Sequence, residues 1–271
     1  LEKKSMNTLE KDNVRLNVRN SYSQVALLNT LGSCCEPVGC CSTSGVKADA
    51  EMSLEIGYSL DDLNLVPEGA NMGLGCGNPK AIASLKPGEI VVDLGSGGGF
   101  DCFLASREVG ETGKVIGVDM TPEMISKARA NAVKGEFTNV EFRLGEIENL
   151  PVADNFADVI ISNCVINLSP DKQRVFEDSF RILKSGGRLA ISDVVATADI
   201  PKDVREDLSL YSSCVSGASR IEEIENILQN CGFKNIKIEP KDESKEFMKS
   251  WAPGKPITDF VISSTIEAVK P

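Results

Sequence analysis

Ile90-Val91-Val92-Asp93-Leu94-Gly95-Ser96-Gly97-Gly98-Gly99 is the stretch whose reading decides the fold. An apolar run is cut off by glycines, which reads as a buried parallel strand entering a tight turn. Gly95, Gly97 and Gly99 let the main chain turn sharply and let a ligand approach it. Phe100 to Val109 has helical spacing, so the turn opens onto a helix N-terminus, whose amides receive polar ligand groups. Lys114-Val115-Ile116-Gly117-Val118 reads as a second strand that ends on Asp119. A carboxylate just past the second strand of such a unit is where ribose hydroxyls are held. The dinucleotide pattern G-x-G-x-x-G needs glycine at position 100; Phe100 stands there, and the spacing is G-x-G-x-G.

Working outward, strand and helix alternate from residue 89. Thr121-Pro122-Glu123 caps a helix to about Val133, with Thr121 at the N-cap and Pro122 at the first helical position. Further strands are expected at Asn139 to Leu144, Phe156 to Ser162, Arg188 to Val194, Phe233 to Glu239 and Asp259 to Ala268. A helix over 171–183 should close on Gly186-Gly187, and helices are expected over 203–213 and 220–230. Repeated strand–helix units predict an α/β fold: a doubly wound, mostly parallel, seven-stranded sheet with helices on both faces. Ligands of such sheets sit outside the carboxyl ends of the strands. Asp93 to Gly99, Asp119, Glu146 and Asn163-Cys164 all fall there and should meet in one crevice.

Before the sheet, residues 12–31 read as an amphipathic helix. Its Tyr22 reads first as a packing residue, with a place over a cofactor as the alternative. Gly32 to Ala48 has no periodicity and carries Cys34, Cys35, Cys40 and Cys41 around Pro37 and Gly39, a loop pattern. Asn71-Met72-Gly73-Leu74-Gly75-Cys76-Gly77-Asn78-Pro79 is irregular and glycine-rich, with a thiol inside it. The organisation expected is residues 1–78 as a helix and cysteine-bearing loops over the site, 79–200 as the cofactor-binding core, and 201–271 as helices and last strands that complete the sheet. Residues 240–258 are charged and hold the single tryptophan, Trp251.

The chain has 271 residues, 25% charged and 41% hydrophobic, ordinary for a soluble globular protein. A net charge of -11 argues against a nucleic-acid backbone as partner. No apolar run approaches the ~18 residues of a membrane span. Leu1-Glu2-Lys3-Lys4 is polar and not a signal peptide, and Leu1 is not an initiator, as expected of a truncated start. There is no histidine, so a general base would be a carboxylate, a thiolate, a tyrosine or water. Nine cysteines, an odd number with no secretion signal, argue against a purely structural disulfide framework and for a reducing cytoplasm. Cys102 and Cys231, on helices among apolar neighbours, read as small buried hydrophobes. Cys164 ends the fourth strand beside the crevice, while Cys76 and Cys214 lie in segments able to cover it. Three thiols converging there would make a site for a soft, thiophilic centre. The Cys34 to Cys41 cluster could hold zinc or a redox pair, although C-C-x4-C-C is not the spacing of common zinc knuckles.

The Asp93 to Gly99 turn with Asp119 resembles the first motif of the class I S-adenosylmethionine-dependent methyltransferases. Asn71 to Pro79, Gly117-Val118-Asp119-Met120-Thr121 and Ser162-Asn163-Cys164-Val165-Ile166-Asn167-Leu168 narrow that resemblance to the arsenite methyltransferase family, over about residues 58 to 220. The resemblance implies S-adenosylmethionine as cofactor, held by Asp93, Gly95, Gly97, Gly99, Asp119, Met120, Glu146 and Asn163. It implies As(III) as substrate, bound by Cys76, Cys164 and Cys214. One thiol among Cys34, Cys35, Cys40 and Cys41 would serve as a relay, and an external thioredoxin- or glutathione-like reductant as partner. Two other readings stand beside it. A C- or O-methyltransferase of the same fold would need a proton-removing base, and none is obvious. A metalloid-capturing protein without catalysis would leave the cofactor motif unexplained.

Overall fold

The computed structural model of the chain describes residues 6–28, 44–205, 207, 210–211, 214–251 and 254–271. Its centre is the expected sheet. The strands are β1 (Ile90–Leu94), β2 (Lys114–Asp119), β3 (Val140–Leu144), β4 (Ala157–Asn163), β5 (Leu183–Ala196), the two-residue β6 (Ser219–Arg220), β7 (Lys234–Pro240) and β8 (Val261–Val269). Seven run in the order β3-β2-β1-β4-β5-β8-β7, and β6 pairs with β5 off that path. Pairing is parallel from β3 through β5, and β8 is antiparallel to both β5 and β7. The chain steps outward from β1 to β2 and β3, then returns to place β4 on the other side of β1. That reversal opens a crevice at the carboxyl ends of β1 and β4.

The apolar runs of the inner strands serve two cores at once, because successive side chains point to opposite faces. Val92, Leu94, Ile116, Val118 and Ile160 join Phe176 and Leu228 on one face. Val91, Val115, Val159 and Ile161 join Phe103, Ala105 and Phe142 on the other. The first face is covered by α7 (Lys172–Ile182) and α9 (Ile221–Cys231), the second by α5 (Phe100–Val109) and α6 (Pro122–Lys134). Apart from the buried Asp101 and Asp178, the charged residues of these helices lie toward the outside, as the 3.6-residue period requires.

Elements outside the sheet bring the remaining walls of the crevice. Helix α1 (Thr8–Leu28) lies over it, tied down by Lys11 to Asp171 at 2.6 Å, Arg15 to Glu148 at 3.1 Å and Arg19 to Glu146 at 3.3 Å. The loop expected through Ala48 ends earlier, since α2 (Ser44–Glu55) begins at Ser44; Gly45 and a weak apolar face hid this helix. The short α3 (Leu60–Asn64) starts at a Ser59 capping box closed by Asp62. Pro79 opens α4 (Pro79–Ala83), with Asn78 accepting from the Ala81 amide at 3.1 Å. Helix α7 ends at Ile182, short of Gly186-Gly187, and the backbone passes straight into β5. There Gly186, at φ 83°, forms an irregularity that pairs with Lys270. Against the helix expected over 203–213, α8 starts one residue earlier and covers Lys202–Arg205. Cys34, Cys35, Cys40 and Cys41 lie outside the described residues.

Phe103 is fully buried and packs its ring against Phe137 at 4.6 Å and Phe142 at 5.8 Å between centroids. Phe103→Ala should cost about 3–5 kcal/mol, the usual loss for emptying a buried aromatic site. Urea unfolding at matched pH checks it, and a loss under about 1 kcal/mol would mean that this core collapses without a cavity.

Candidate active site

The crevice is a cavity of about 370 Å³, a size at home among cofactor sites. Its floor is the glycine turn. Gly95 sits at φ 72°, and a Cβ there would run into Val165, so this position needs glycine for both conformation and space. The Gly97 amide donates to Asp119 Oδ2 at 3.0 Å, and the Thr121 amide to Asp119 Oδ1 at 2.8 Å. Asp119 therefore clasps the turn from the end of β2. Burial raises its pKa, and the two amide bonds work against that shift. Asp93, Gly95, Gly97, Asp119, Met120, Asn163, Cys164 and Cys214 all line the cavity. Gly99 caps α5 and is packed by Phe103 and Phe142. Glu146 is not among the lining residues and pairs with Arg15 and Arg19, whereas Glu148, two residues on, does line the cavity.

Cys164 follows β4 and Cys214 follows β5, both at left-handed backbone angles, φ 59° and 62°. The Cys214 thiol donates to the Cys164 carbonyl at 2.7 Å. Cys76, Cys164 and Asp193 form a buried group whose sulfur and carboxylate atoms lie within 4.8 Å of one another. All three sulfurs belong to one apolar cluster with Val18, Leu168, Val194 and Phe260. Such surroundings disfavour thiolate. Burial pushes Cys76 up, and burial with the neighbouring Cys214 and Cys76 pushes Cys164 well up. The hydrogen bond from Cys164 pulls Cys214 down, but burial and the charges of Asp193 and Cys76 outweigh it and bring the thiol to about 11. All three are thiols at neutral pH, poised to exchange their protons for a thiophilic centre.

The thiol loop is held as firmly as the sheet. Asn163 Oδ1 accepts the Cys76 amide at 3.0 Å, and its Nδ2 donates to the Gly77 carbonyl at 2.7 Å. Gly75, at φ 128°, lies flat on that amide; a Cβ would sit 2.7 Å from Asn163 Nδ2. From the other side Ser263 Oγ donates to the Cys76 carbonyl at 2.6 Å. Asp193, 1% exposed and inside β5, accepts from the Ile166 and Val194 amides and from Asn167. Burial raises its pKa to about 6.

Sequence reading missed Asp193, which lies inside β5 just past the level where β4 ends at Asn163; the available signal was a carboxylate in the otherwise largely apolar second half of that strand. It also missed Tyr58, Ser263 and Arg15, which reach the site only through tertiary packing. Tyr22 does line the cavity, as does Trp251. Cys102 is buried, as expected, with its thiol on Asp93 Oδ2 at 3.2 Å, and Cys231 is partly buried.

A methyltransferase-domain family model matches residues 85–232. A class I methyltransferase is the class that this sheet and crevice define. The chain is 53% identical to an arsenite methyltransferase of Halobacterium salinarum over 94% of its own length, and 38% identical to one of Aquipseudomonas alcaligenes over 82%. The crystal structure of an arsenic(III) S-adenosylmethionine methyltransferase from Chlamydomonas reinhardtii superposes with a TM-score of 0.61 at 30% identity, over 83% of this chain and 73% of that one. The chain belongs to the arsenite methyltransferase family. It spans 66% and 62% of the lengths of the Halobacterium and Aquipseudomonas relatives. Among the described residues no helix is long and apolar enough to cross a membrane.

Two buried acids, Asp93 and Asp101, face the cavity together. Burial, with Asp101 nearby, raises Asp93 well above the usual carboxylate range; burial also raises Asp101, against hydrogen bonds from Tyr58 and Asn163. A raised carboxyl keeps its proton longer in the folded chain than in the unfolded one, which ionises near pH 4. Stability is then fully present below about pH 4 and is lost as pH rises through the folded pKa, about 6 for Asp101. Urea midpoints of the ligand-free chain should fall over that window, and Asp101→Asn, which keeps an acceptor for Tyr58, should flatten the fall. An unchanged slope in the variant would place the titration elsewhere.

Proposed function

We propose that this chain methylates trivalent arsenic, using S-adenosylmethionine as methyl donor and Cys76, Cys164 and Cys214 as the sulfur ligands of As(III). The observation that carries the reading is the gathering of these thiols in one buried cluster that reaches the wall of the glycine-turn cavity. The donor set fits both ligands. The turn and Asp119 suit the amino-acid and ribose parts of the cofactor, with Asp93, Met120 and Asn163 completing its walls, while soft sulfur suits arsenic. We assign the neighbourhood to a reducing cytoplasm and the electrons to an external thiol reductant, on the strength of the free cysteines.

Each protein thiol that captures arsenite forms an S–As bond and breaks an As–O bond, and its proton leaves with the hydroxide as water. No net base is consumed, which suits a chain without histidine. S-adenosylmethionine, when bound, supplies an electrophilic methyl group on a sulfonium. Cys164 and Cys214 would hold arsenic with its lone pair aimed into the cavity, and this fixed approach is the main catalytic contribution of the chain. An apolar wall keeps water from competing there. The methylated arsenic is left oxidised, and two thiols return it to the trivalent state as they pair into a disulfide that the external reductant reopens. Cys34, Cys35, Cys40 and Cys41 are assigned to delivery and relay.

Incubation with arsenite, S-adenosylmethionine and thiol, with products identified by mass, tests the function directly; no methylated arsenical would reject it. Cys164→Ser and Cys214→Ser should each abolish product from arsenite and from its monomethylated trivalent form. Cys76→Ser should hurt arsenite more, since the monomethylated species has only two positions left for sulfur. Replacing the four N-terminal cysteines by Ser should likewise slow arsenite more, and equal effects on both substrates would remove the relay role.

Cofactor affinity is separable from sulfur chemistry. Asp119→Ala should weaken S-adenosylhomocysteine on the order of 2–3 kcal/mol, the worth of hydrogen bonds to a charged group. A calorimetric titration with equal affinities would take Asp119 out of the cofactor site.

A further inference from the structure

Asp93 and Asp101 line the cavity, and among the described residues neither carboxylate is in an ion pair. Asp93 accepts the Cys102 thiol, and Asp101 accepts the Tyr58 hydroxyl at 2.6 Å. Lys80 acts on Asp101 at a distance and is itself paired with Asp62 at 2.7 Å, so two neighbouring buried acids lack an ion-pair partner among the described residues, which favours a cationic ligand group beside them. From Asp101 a chain of hydrogen bonds runs to the thiol loop through Tyr58, which is outside the cavity lining, and Asn163, which is part of it. Asn163 Nδ2 donates to the Tyr58 oxygen at 3.0 Å, and Asn163 Oδ1 accepts the Cys76 amide at 3.0 Å. Tyr58 is 4% exposed and lies edge-on to Phe100 at 4.8 Å, so its hydroxyl has little freedom. Three side chains thus span the whole distance from an acid on the cavity wall to the backbone of a thiol.

We propose that Tyr58 and Asn163 are positioning residues that couple the cationic end of the bound cofactor, seated on Asp101 and Asp93, to the sulfur ligand Cys76, so that cofactor and inorganic arsenite bind with positive cooperativity. This rests on the function proposed above. A cation against Asp101 holds its carboxylate ionised. An ionised acceptor shortens and strengthens the bond from Tyr58, roughly twofold over a neutral one. The fixed phenol oxygen then holds the Asn163 amide, which holds Cys76 and Gly77 in place for arsenic. Linkage makes the effect reciprocal, so arsenite tightens the cofactor by the same factor. Only ligands that use both ends can sense the connection. A phenyl As(III) species bonds two sulfurs and is satisfied by Cys164 and Cys214. Methylthioadenosine lacks the ammonium and leaves the acids unpaired.

The test is a set of calorimetric titrations of the full chain with arsenite, alone and saturated with S-adenosylhomocysteine, which carries the ammonium but no transferable methyl group. Arsenite should bind at least about fivefold tighter in the saturated protein, the lower end of ordinary coupling. Methylthioadenosine should produce no tightening, and phenyl As(III) should not respond to either nucleoside. Tyr58→Phe keeps the ring and removes the hydroxyl, so it should abolish the coupling. Ser263→Ala loosens Cys76 from the side not connected to the cavity. It should weaken arsenite equally with and without S-adenosylhomocysteine and leave the coupling intact, which a merely structural role for Tyr58 would not predict. Coupling that survives Tyr58→Phe, or that phenyl As(III) shares, or that is absent from the wild-type chain, overturns this inference alone. A wild-type chain that fails to bind arsenite overturns the proposed function and the coupling with it.

Discussion

Asn163 ends β4 where the strand order reverses, and its side-chain amide is occupied on every side: the Cys76 amide on its oxygen, the Gly77 carbonyl and the Tyr58 hydroxyl on its nitrogen. A buried amide with fewer partners would be costly. A filled one locks three segments together. The glycine-rich loop of residues 71–78 has no regular structure of its own, so its order comes from side chains: this amide and Ser263 at Cys76 and Gly77, with Asn71 and Asn78 nearer its ends. The absence of a side chain at Gly75 is part of the same fit, because the loop backbone must lie directly on Asn163. Without that seat, Cys76 would be a thiol on a free loop.

Sulfur is placed here among apolar side chains, close to the carboxylate of Asp193. Both conditions favour thiol over thiolate, so the resting site is uncharged at sulfur and inexpensive to bury. A thiophilic centre that arrives with hydroxide ligands removes the proton as water and leaves a neutral, sulfur-rich assembly in the same apolar surroundings. The cavity beside it adds, within a largely apolar lining, the glycine turn and the carboxylates of Asp93, Asp101 and Asp119. One wall therefore suits a soft neutral centre and the other a polar, cationic molecule, and the two meet at Cys164.

Much of this was legible in the sequence because it is local. An apolar run that ends in glycines specifies a strand and its turn within ten residues, and Asp93, Asp119 and Asn163 could be placed because each sits at the end of such a run. The antiparallel insertion of β8 between β5 and β7 is a matter of long-range pairing and leaves no local trace. Helix α2 was hidden for a different reason: a short segment with little amphipathic contrast carries too weak a period to outweigh its glycine. Glu148 and Glu146 show the limit at a single position. Both follow the third strand, and tertiary contacts separate them: Glu148 is held by Arg15 and Ser169 beside the cavity, while Glu146 pairs with Arg15 and Arg19 outside its lining. Asp193 escaped the rule that found the strand ends because β5 runs on to Ala196 past the end of β4, and Tyr58 escaped it because its partner lies 43 positions further along the chain.

Cys164 and Cys214 share a property unrelated to sulfur: each holds its backbone in the left-handed region, where a side chain with a Cβ costs on the order of 1 kcal/mol. Folding alone would put Gly or Asn at such corners. Their burial in the apolar cluster and the bond from the Cys214 thiol to the Cys164 carbonyl work against that backbone cost. On the proposed function, that backbone cost is borne in advance of a guest. A chain that no longer met that guest would have a standing physical incentive to give both sulfurs up.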